Sequence, residues 1–483
     1  MLSLILSTAL LATTAATAPP IAAATADITA ADITAVVEQH RERTGLPGAA
    51  VAVTRGDAVV LAAGYGRTPG GEPISARTPM AVASVSKSFT ALAVARLAER
   101  GELRLDDPVR AHLPEFRMAD PRAADITVRH LLDQTSGLSD TTHRSFTGPE
   151  VRTLREAVAA MRDSTLAADP GTRWEYHNPN YQLAARLVEV VGGLPFDEHL
   201  RRTVFEPLGM RDSRTVDTDR DLPPSARGHV RVLGVPIAVP EPPAFGNGSG
   251  GVLSTADDLA AWLIAQNSGG RGPTGASIAT PATIAATRTP SAVSDSYALG
   301  WSTGVTDSGA PLVDHGGDLF TSTAYQALLP NSGHGIAVTA NAASGEAQEI
   351  GARLIALVEG RQPPPSSDPY PVVDAVLLGL AACGAGLAVR GVVRARRWAA
   401  RRHRWTAARL PLLLLPALLA ATVHRVVGFL YRGRDVAWLQ VAYLFPAFVV
   451  ALLVTAAGCL AVLAARAVAL RRATGKNGRL AAG

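Results

Sequence analysis

The longest apolar run of the chain, Val441–Ala465, has no charged residue and is long enough to cross a bilayer as a helix. Within lipid, a backbone must satisfy its own hydrogen bonds, and a single apolar segment does so as a helix. Two shorter apolar runs, Val372–Val389 and Leu410–Val423, precede it. We therefore predict a small membrane region of three transmembrane helices within residues 372–466.

A stretch at residues 361–371 contains five prolines and predicts a linker before the membrane region. The balance of charge changes at the same place: residues 371–483 carry 16 Lys and Arg against two acids, whereas the preceding part is mildly acidic. The basic residues cluster after the first apolar run and in the tail at 467–483. By the positive-inside rule both clusters face the cytoplasm, which leaves residues 27–360 on the extracellular side. A basic excess of this kind does not indicate nucleic-acid binding.

The N-terminal residues 1–26 are small and apolar, with Leu2–Leu11 as their most apolar part. They resemble a secretory signal peptide, although no Lys or Arg precedes the apolar run; the alternative is an Ala/Thr-rich leader. A signal peptide gives the same orientation as the charge rule. The predicted location is the cell membrane, multi-pass, with residues 27–360 outside. The second run is short for a full span unless it extends to about Tyr431, and Arg425 would then have to snorkel or make that segment interfacial.

Composition excludes several chemistries for residues 27–360. The two cysteines, Cys383 and Cys459, both lie in the membrane region, so this part has no disulfide and no thiol nucleophile. No Cys/His cluster has zinc-ligand spacing, and neither a P-loop nor a dinucleotide-binding glycine motif is present. We predict neither a metal nor a cofactor.

Helical and strand patterns mix along residues 27–360. The strand patterns are Ala49–Val53, Ala58–Ala63, Tyr297–Ser302, Ala324–Leu329 and Gly335–Thr339. The helical patterns are Ile28–Arg43, a helix ending near Arg100, Val151–Arg162, Tyr181–Val191, a helix through Ala265, and Glu346–Glu359. Residues 221–250 are rich in Pro and Gly and predict a loop with one hairpin at most.

Ser84 and Lys87 stand three residues apart at the start of a helical pattern, so both side chains lie on one face. A hydroxyl beside an amine that can lose its proton is a nucleophile with its own base. The chain uses Arg almost everywhere, since Lys476 in the tail is the only other lysine, and Arg cannot act as such a base. The alternative is a helix cap beside a solvated charge.

Four segments of the sequence, the first of which contains Ser84 and Lys87, resemble a known family. Val82–Ala91 and Gly101–Val109, followed by His130–Leu138 and Gly250–Leu259, are similar to the serine β-lactamase and penicillin-binding protein superfamily. The similarity is closest to its class C-like branch, which also holds esterases and D-stereospecific peptidases, and it covers roughly residues 30–360. It implies an α+β fold, an antiparallel sheet flanked by helices, with a mostly helical subdomain around residues 100–210.

The resemblance also implies a second catalytic element, Tyr-x-Asn, matched by Tyr176 and Asn178. Tyr176 would relay protons near Lys87, and Asn178 would bind the acyl chain of the substrate through its amide. The alternatives are a core aromatic residue for Tyr176 and a helix cap for Asn178.

The third element of the family, Lys-Thr-Gly or His-x-Gly on an edge strand, is matched by His315 and Gly317. Glycine permits a close approach of backbone to substrate, and the Asp318 N–H would join the Ser84 N–H in an oxyanion hole. The alternative for His315 is a turn histidine without a role. Lactam hydrolases of this branch usually have Lys at the position of His315. A His at this position is more typical of the esterases and peptidases.

A second departure from the family is Phe320-Thr321, where glycine is usual a few residues after this motif.

These observations predict a membrane-anchored serine hydrolase that acts on an ester, amide or β-lactam carbonyl through an acyl-enzyme. Its partners would be a small-molecule or peptidoglycan-like substrate and the membrane. One alternative is a penicillin- or peptidoglycan-binding sensor that acylates without turnover. Another is a protein whose activity lies in the membrane helices, but these contain few ionisable groups in their interiors, which indicates an anchor.

Overall fold

A computed structural model of the protein describes residues 28–366, 370–401 and 408–480, with side chains as far as residue 472. The predicted signal peptide, residues 1–26, lies outside the described residues. The chain forms two compact units. The larger includes residues 28–230 and 236–366; the smaller includes residues 231–235 and the described residues from Tyr370 onward.

A six-stranded antiparallel sheet is the centre of the larger unit. Its strands are β1 Gly48–Arg55, β2 Ala58–Gly66, β8 Ser302–Val305, β9 Pro311–Asp318, β10 Thr323–Leu329 and β11 His334–Ala340. They pair in the order β2-β1-β11-β10-β9-β8. Three inner strands, β1, β10 and β11, are buried along nearly their whole length, whereas buried and partly exposed residues alternate in β9.

Helices cover both faces of this sheet. On one face α1 (Ala30–Thr44) and α11 (Glu346–Val358) pack their apolar sides against the strands. On the other face lie α2 (Ser86–Glu99) and α9 (Ala256–Asn267), where Phe89 stacks on Trp262 with 4.0 Å between the ring centroids. The side chains of α2 are buried along nearly its whole length, so this helix is the core of the unit.

A mostly helical subdomain packs against α2 from the side opposite to the sheet. It contains α3 Val109–His112, α4 Val128–Leu132, α5 Leu154–Ala159, α6 Pro179–Gly192, α7 Phe196–Leu200 and α8 Glu206–Leu208. The remaining elements are β3 Met80–Ala81, β4 Arg214–Thr215, β5 Gly228–Val232, β6 Val235–Val239, β7 Val252–Ser254 and α10 Pro281–Thr287. The antiparallel sheet with flanking helices and a helical subdomain confirms the predicted α+β class.

Two predicted elements differ from the structure. The predicted strand Tyr297–Ser302 is wrong, because only Ser302 begins a strand and the residues before it form turns around Gly300, whose φ is 76°. The predicted helix Val151–Arg162 is reduced to Leu154–Ala159, because Thr153 caps the helix and the chain turns after Ala159. β5 and β6 pair as the one hairpin allowed for in residues 221–250.

The smaller unit has three helices that are long and apolar enough to cross a membrane, Tyr370–Val393, Leu410–Leu430 and Pro446–Arg472. The last of them belongs to a helix of 35 residues that continues to Leu480, through most of the basic tail. Three membrane helices were predicted in this part of the chain.

Candidate active site

Ser84 lies in a single turn, Ala83–Val85, that leads directly into α2. Two hydrogen bonds to β7 hold this turn: the Val82 N–H donates to the Val252 carbonyl, and the Val252 N–H donates to Ser86 Oγ, each at 3.0 Å. Ala83 has φ 47°, a left-handed conformation that costs about 1 to 2 kcal/mol for a residue with a Cβ. A strained turn held from both sides fixes Ser84 at the start of the helix.

Lys87 follows one turn later and is completely buried. Its Nζ lies 3.0 Å from Ser84 Oγ and donates a hydrogen bond to the Ser249 carbonyl oxygen at 2.7 Å. The Nζ also lies 4.8 Å from the centre of the Tyr176 ring. The alternative of a solvated charge at a helix start is therefore wrong for Lys87, whose amine lies inside the protein beside Ser84.

Tyr176 and Asn178 lie just before α6, and Gln134 holds the segment between them. Gln134 Oε1 accepts hydrogen bonds from the His177 N–H at 3.1 Å and from Asn180 Nδ2 at 2.6 Å. Gln134 itself has φ 63°, so this support is built into a turn of special conformation. Tyr176 is thereby held over Lys87, next to the first element.

Asn178 occupies the position before the first residue of α6, but its side chain makes no capping hydrogen bond. Its Oδ1 atom is buried and has no hydrogen-bond partner among the described residues. A buried amide oxygen without a partner is costly in a folded protein. The helix-cap alternative does not describe this residue.

β9 brings the third element to Ser84. A Cβ atom built on Gly317 would lie 2.5 Å from the Val82 carbonyl oxygen and 3.0 Å from the Ser84 nitrogen, so only glycine permits this contact of backbones. β9 is not the edge strand that the motif predicts, because β8 pairs with it as far as Asp314. Beyond that residue, the segment from His315 to Asp318 pairs with β10 alone among the described residues.

His315 lies in β9 rather than in a turn, and it is buried. Burial lowers the pKa of His315 to about 3, so the imidazole is neutral at physiological pH. Its Nδ1 lies 2.6 Å from the Gly316 carbonyl oxygen, which can only accept, and this assigns the proton to Nδ1. Nε2 is therefore the acceptor for the Tyr297 hydroxyl at 3.2 Å.

Tyr297 is a site residue that the sequence pattern did not reveal. Its ring centre lies 6.2 Å from that of Tyr176 and 6.0 Å from that of Trp174, so it joins the second and third elements. The sequence feature that could have indicated this segment is Gly300, a glycine among apolar and aromatic residues. Gly300 packs on the backbone of Lys87, and a Cβ there would lie 2.6 Å from the Lys87 carbonyl oxygen.

The carbonyl oxygen of Ser249 was also missed, although it accepts the hydrogen bond of Lys87. It lies in a loop with four glycines in six residues, Gly246–Gly251. Gly248 shows why this loop needs glycine, since a Cβ there would lie 2.5 Å from the Ala185 Cβ of α6. The glycine density was the available signal for a backbone that packs closely against the site.

Comparisons with known proteins agree with this fold and site. A sequence model described as Beta-lactamase matches residues 33–360, and the chain belongs to this family. This confirms the predicted resemblance, and the family is one of serine hydrolases.

Individual relatives include proteins that are penicillin-binding proteins by name. Penicillin-binding protein 4 of Amycolatopsis lactamdurans is 30% identical over 358 residues, which are 69% of this chain and 92% of the relative. Protein flp of Staphylococcus aureus (strain COL) is 28% identical over 315 residues, which are 64% of this chain and 62% of that protein's length. The octameric penicillin-binding protein homologue from Pyrococcus abyssi superposes with a TM-score of 0.59 at 26% identity, covering 72% of this chain and 81% of the other.

Proposed function

We propose that this protein is a membrane-anchored, extracytoplasmic serine hydrolase that acts through an acyl-enzyme on an ester, amide or β-lactam carbonyl. The observation that carries the proposal is the 3.0 Å distance between the buried Lys87 Nζ and Ser84 Oγ, beneath the ring of Tyr176. A buried amine at this distance from a hydroxyl has the geometry of a base and its nucleophile.

Acylation begins when Ser84 Oγ attacks the carbonyl carbon and its proton passes to the neutral amine of Lys87. The negative charge on the carbonyl oxygen is stabilised by the N–H groups of Ser84 and Asp318, whose strand lies against the Ser84 turn. As the bond to the leaving group breaks, the Tyr176 hydroxyl gives its proton to that group and takes the Ser84 proton back from Lys87. Water then attacks the acyl carbon and gives a proton to Lys87, which passes it to Ser84 Oγ as the bond between that oxygen and the acyl group breaks. The released product carries the new carboxyl group. This chemistry needs no cofactor.

The proposed binding position of the substrate is formed by Asn178, Gly317 and His315. Asn178 would bind an amide of the acyl chain, and the open edge of β9 at Gly317 would bind extended substrate backbone. Because His315 is neutral, this position has no fixed positive charge for a substrate carboxylate. An ester or amide without a carboxylate at this place fits better than a β-lactam antibiotic.

Localisation on the outer face of the membrane is supported by the three apolar helices and by the basic loop and tail around them. A membrane-bound hydrolase in this position would meet a peptidoglycan-like or small-molecule substrate.

The test is hydrolysis by the full-length protein in detergent, with the Ser84→Ala variant as control. A chromogenic cephalosporin, an activated phenyl ester and a peptide ending in D-Ala-D-Ala each report one substrate class. We expect turnover of at least one, with the ester the fastest, and a loss of at least about a thousandfold in Ser84→Ala. Equal rates in the two proteins reject Ser84 as the nucleophile. One equivalent of acylation without turnover favours the sensor instead.

A further inference from the structure

Glu241 is a buried carboxylate that contacts the loop directly after the oxyanion strand. Only 6% of its surface is exposed. Its Oε1 accepts the Phe320 N–H at 2.6 Å, and its Oε2 accepts the Thr321 hydroxyl at 2.6 Å. Both donors belong to the connection between β9 and β10, two and three residues after Asp318.

The same loop is held at a second point by β5. The His229 N–H donates to the Thr321 carbonyl oxygen at 2.9 Å, and a Cβ on Gly228 would lie 1.8 Å from that oxygen. Thr321 is thus bound through its side chain by Glu241 and through its backbone by His229. The loop has little freedom left at this residue, which fixes the direction in which β9 ends.

Packing alone does not explain a carboxylate at this position. Burial raises the pKa of Glu241 to about 7, against the opposing effect of its hydrogen bonds to Phe320 and Thr321, so the charged form is held at a penalty. Burial, and after it the Glu241 charge, also raise the pKa of Asp219. An apolar side chain of similar size would fill the space without this penalty, but it could not fix two donors in direction.

We propose that Glu241 is a positioning residue for the oxyanion hole: it holds the Phe320-Thr321 loop so that the Asp318 end of β9 stays against Ser84. This rests on the proposed function. It also accounts for the departure of this chain from the glycine usual in the family, because Thr321 supplies a hydroxyl donor that glycine lacks. Phe320, whose ring meets that of Phe146 at 6.3 Å between centroids, is fixed at the same time.

The test compares Glu241→Gln, Thr321→Val and the double variant with the wild-type full-length protein, on an activated phenyl ester. Rates are expressed per active site by titrating the burst of released phenol. Gln keeps an acceptor for the Phe320 N–H and loses the charge. We expect kcat to fall about tenfold in each single variant with KM within twofold, less than the loss from deleting an oxyanion donor outright. The double variant should lose no more than the worse single one, because both remove the same contact.

Asp258→Asn is the matched control, because Asp258 also binds a backbone N–H and a hydroxyl, those of Asp212 and Ser213. Its kcat per active site should equal that of the wild type even if its thermal stability falls. A Glu241→Gln protein with fewer active sites but unchanged kcat per site overturns the positioning role. A wild type that hydrolyses nothing overturns the proposed function and this role with it, whereas an active wild type with an unchanged Glu241→Gln overturns the role alone.

Discussion

In the proposed mechanism Lys87 carries a task that Arg could not perform, in a chain where almost every other basic residue is Arg. Both side chains are cationic in water, but the guanidinium keeps its proton in proteins. An amine buried beside a hydroxyl can accept the proton of that hydroxyl, and this is why the exception stands at this position.

Lys87→Arg should strongly lower hydrolysis, because the guanidinium keeps its proton and cannot act as the base. We expect a loss of about a thousandfold in kcat/KM, within the range known for a general base. Lys476→Arg, which changes the only other lysine, is the control and should keep full activity. Activity of Lys87→Arg within tenfold of the wild type would contradict the role of the amine. The measurement is the rate of ester hydrolysis by both variants in parallel.

His315 makes stability depend on pH. Its pKa is about 3 in the folded protein and about 6.5 in an unfolded chain. Between these values the unfolded state binds more protons, so the free energy of unfolding falls as pH is lowered from 6.5 toward 3. The slope contributed by this group is at most about 1.4 kcal/mol per pH unit.

We therefore expect His315→Gln to lose less stability than the wild type when pH falls from 7 to 4. Denaturant unfolding of the two proteins at both pH values measures the difference. Equal losses in the two proteins would show that the imidazole is not held neutral by the fold.

The close contact between strand β9 and the Ser84 turn depends on one glycine. An added methyl group at Gly317 must push β9 away from the Ser84 turn, because the Val82 carbonyl oxygen lies 2.5 Å from the position of that group. We expect Gly317→Ala to lower kcat about a hundredfold, the effect of one lost oxyanion donor.

Gly304→Ala in the neighbouring strand β8 is the control, since no described atom lies within 4 Å of a Cβ there. Its rate should match the wild type in the same ester assay. If both variants hydrolyse equally, the contact between β9 and Ser84 is not needed for catalysis.

Prediction from sequence succeeded where chemistry is local along the chain. Ser84 lies in the turn that leads into α2 and Lys87 in the first turn of that helix, so their spacing alone brings them together. Apolar runs predicted β1, β2, β10 and β11 of the central sheet, but not β8 or β9. It failed for Tyr297 and for the Ser249 carbonyl, because their contacts are made by turns whose course depends on packing against α2 and α6. A backbone carbonyl leaves no trace in residue identity beyond the glycines around it.

At the scale of the whole molecule, the charge distribution predicts one orientation in the membrane. We expect a cysteine at the exposed residue Asp57, in a protein with Cys383 and Cys459 replaced by Ala, to react with an impermeant maleimide on intact cells. Asn477→Cys in the same background should react only after lysis. The reverse pattern would place the hydrolase domain in the cytoplasm and contradict the proposed localisation.

The last helix, Pro446–Leu480, has 35 residues and measures about 52 Å along its axis, whereas the hydrocarbon of a bilayer is about 30 Å thick. Its apolar part ends near Arg466, and Arg471 and Arg472 follow within two turns. If the helix crosses the membrane as proposed, these arginines stand at the depth of lipid phosphates and attract anionic headgroups there. In a thinner bilayer the helix would have to tilt, because its charged end cannot enter the hydrocarbon.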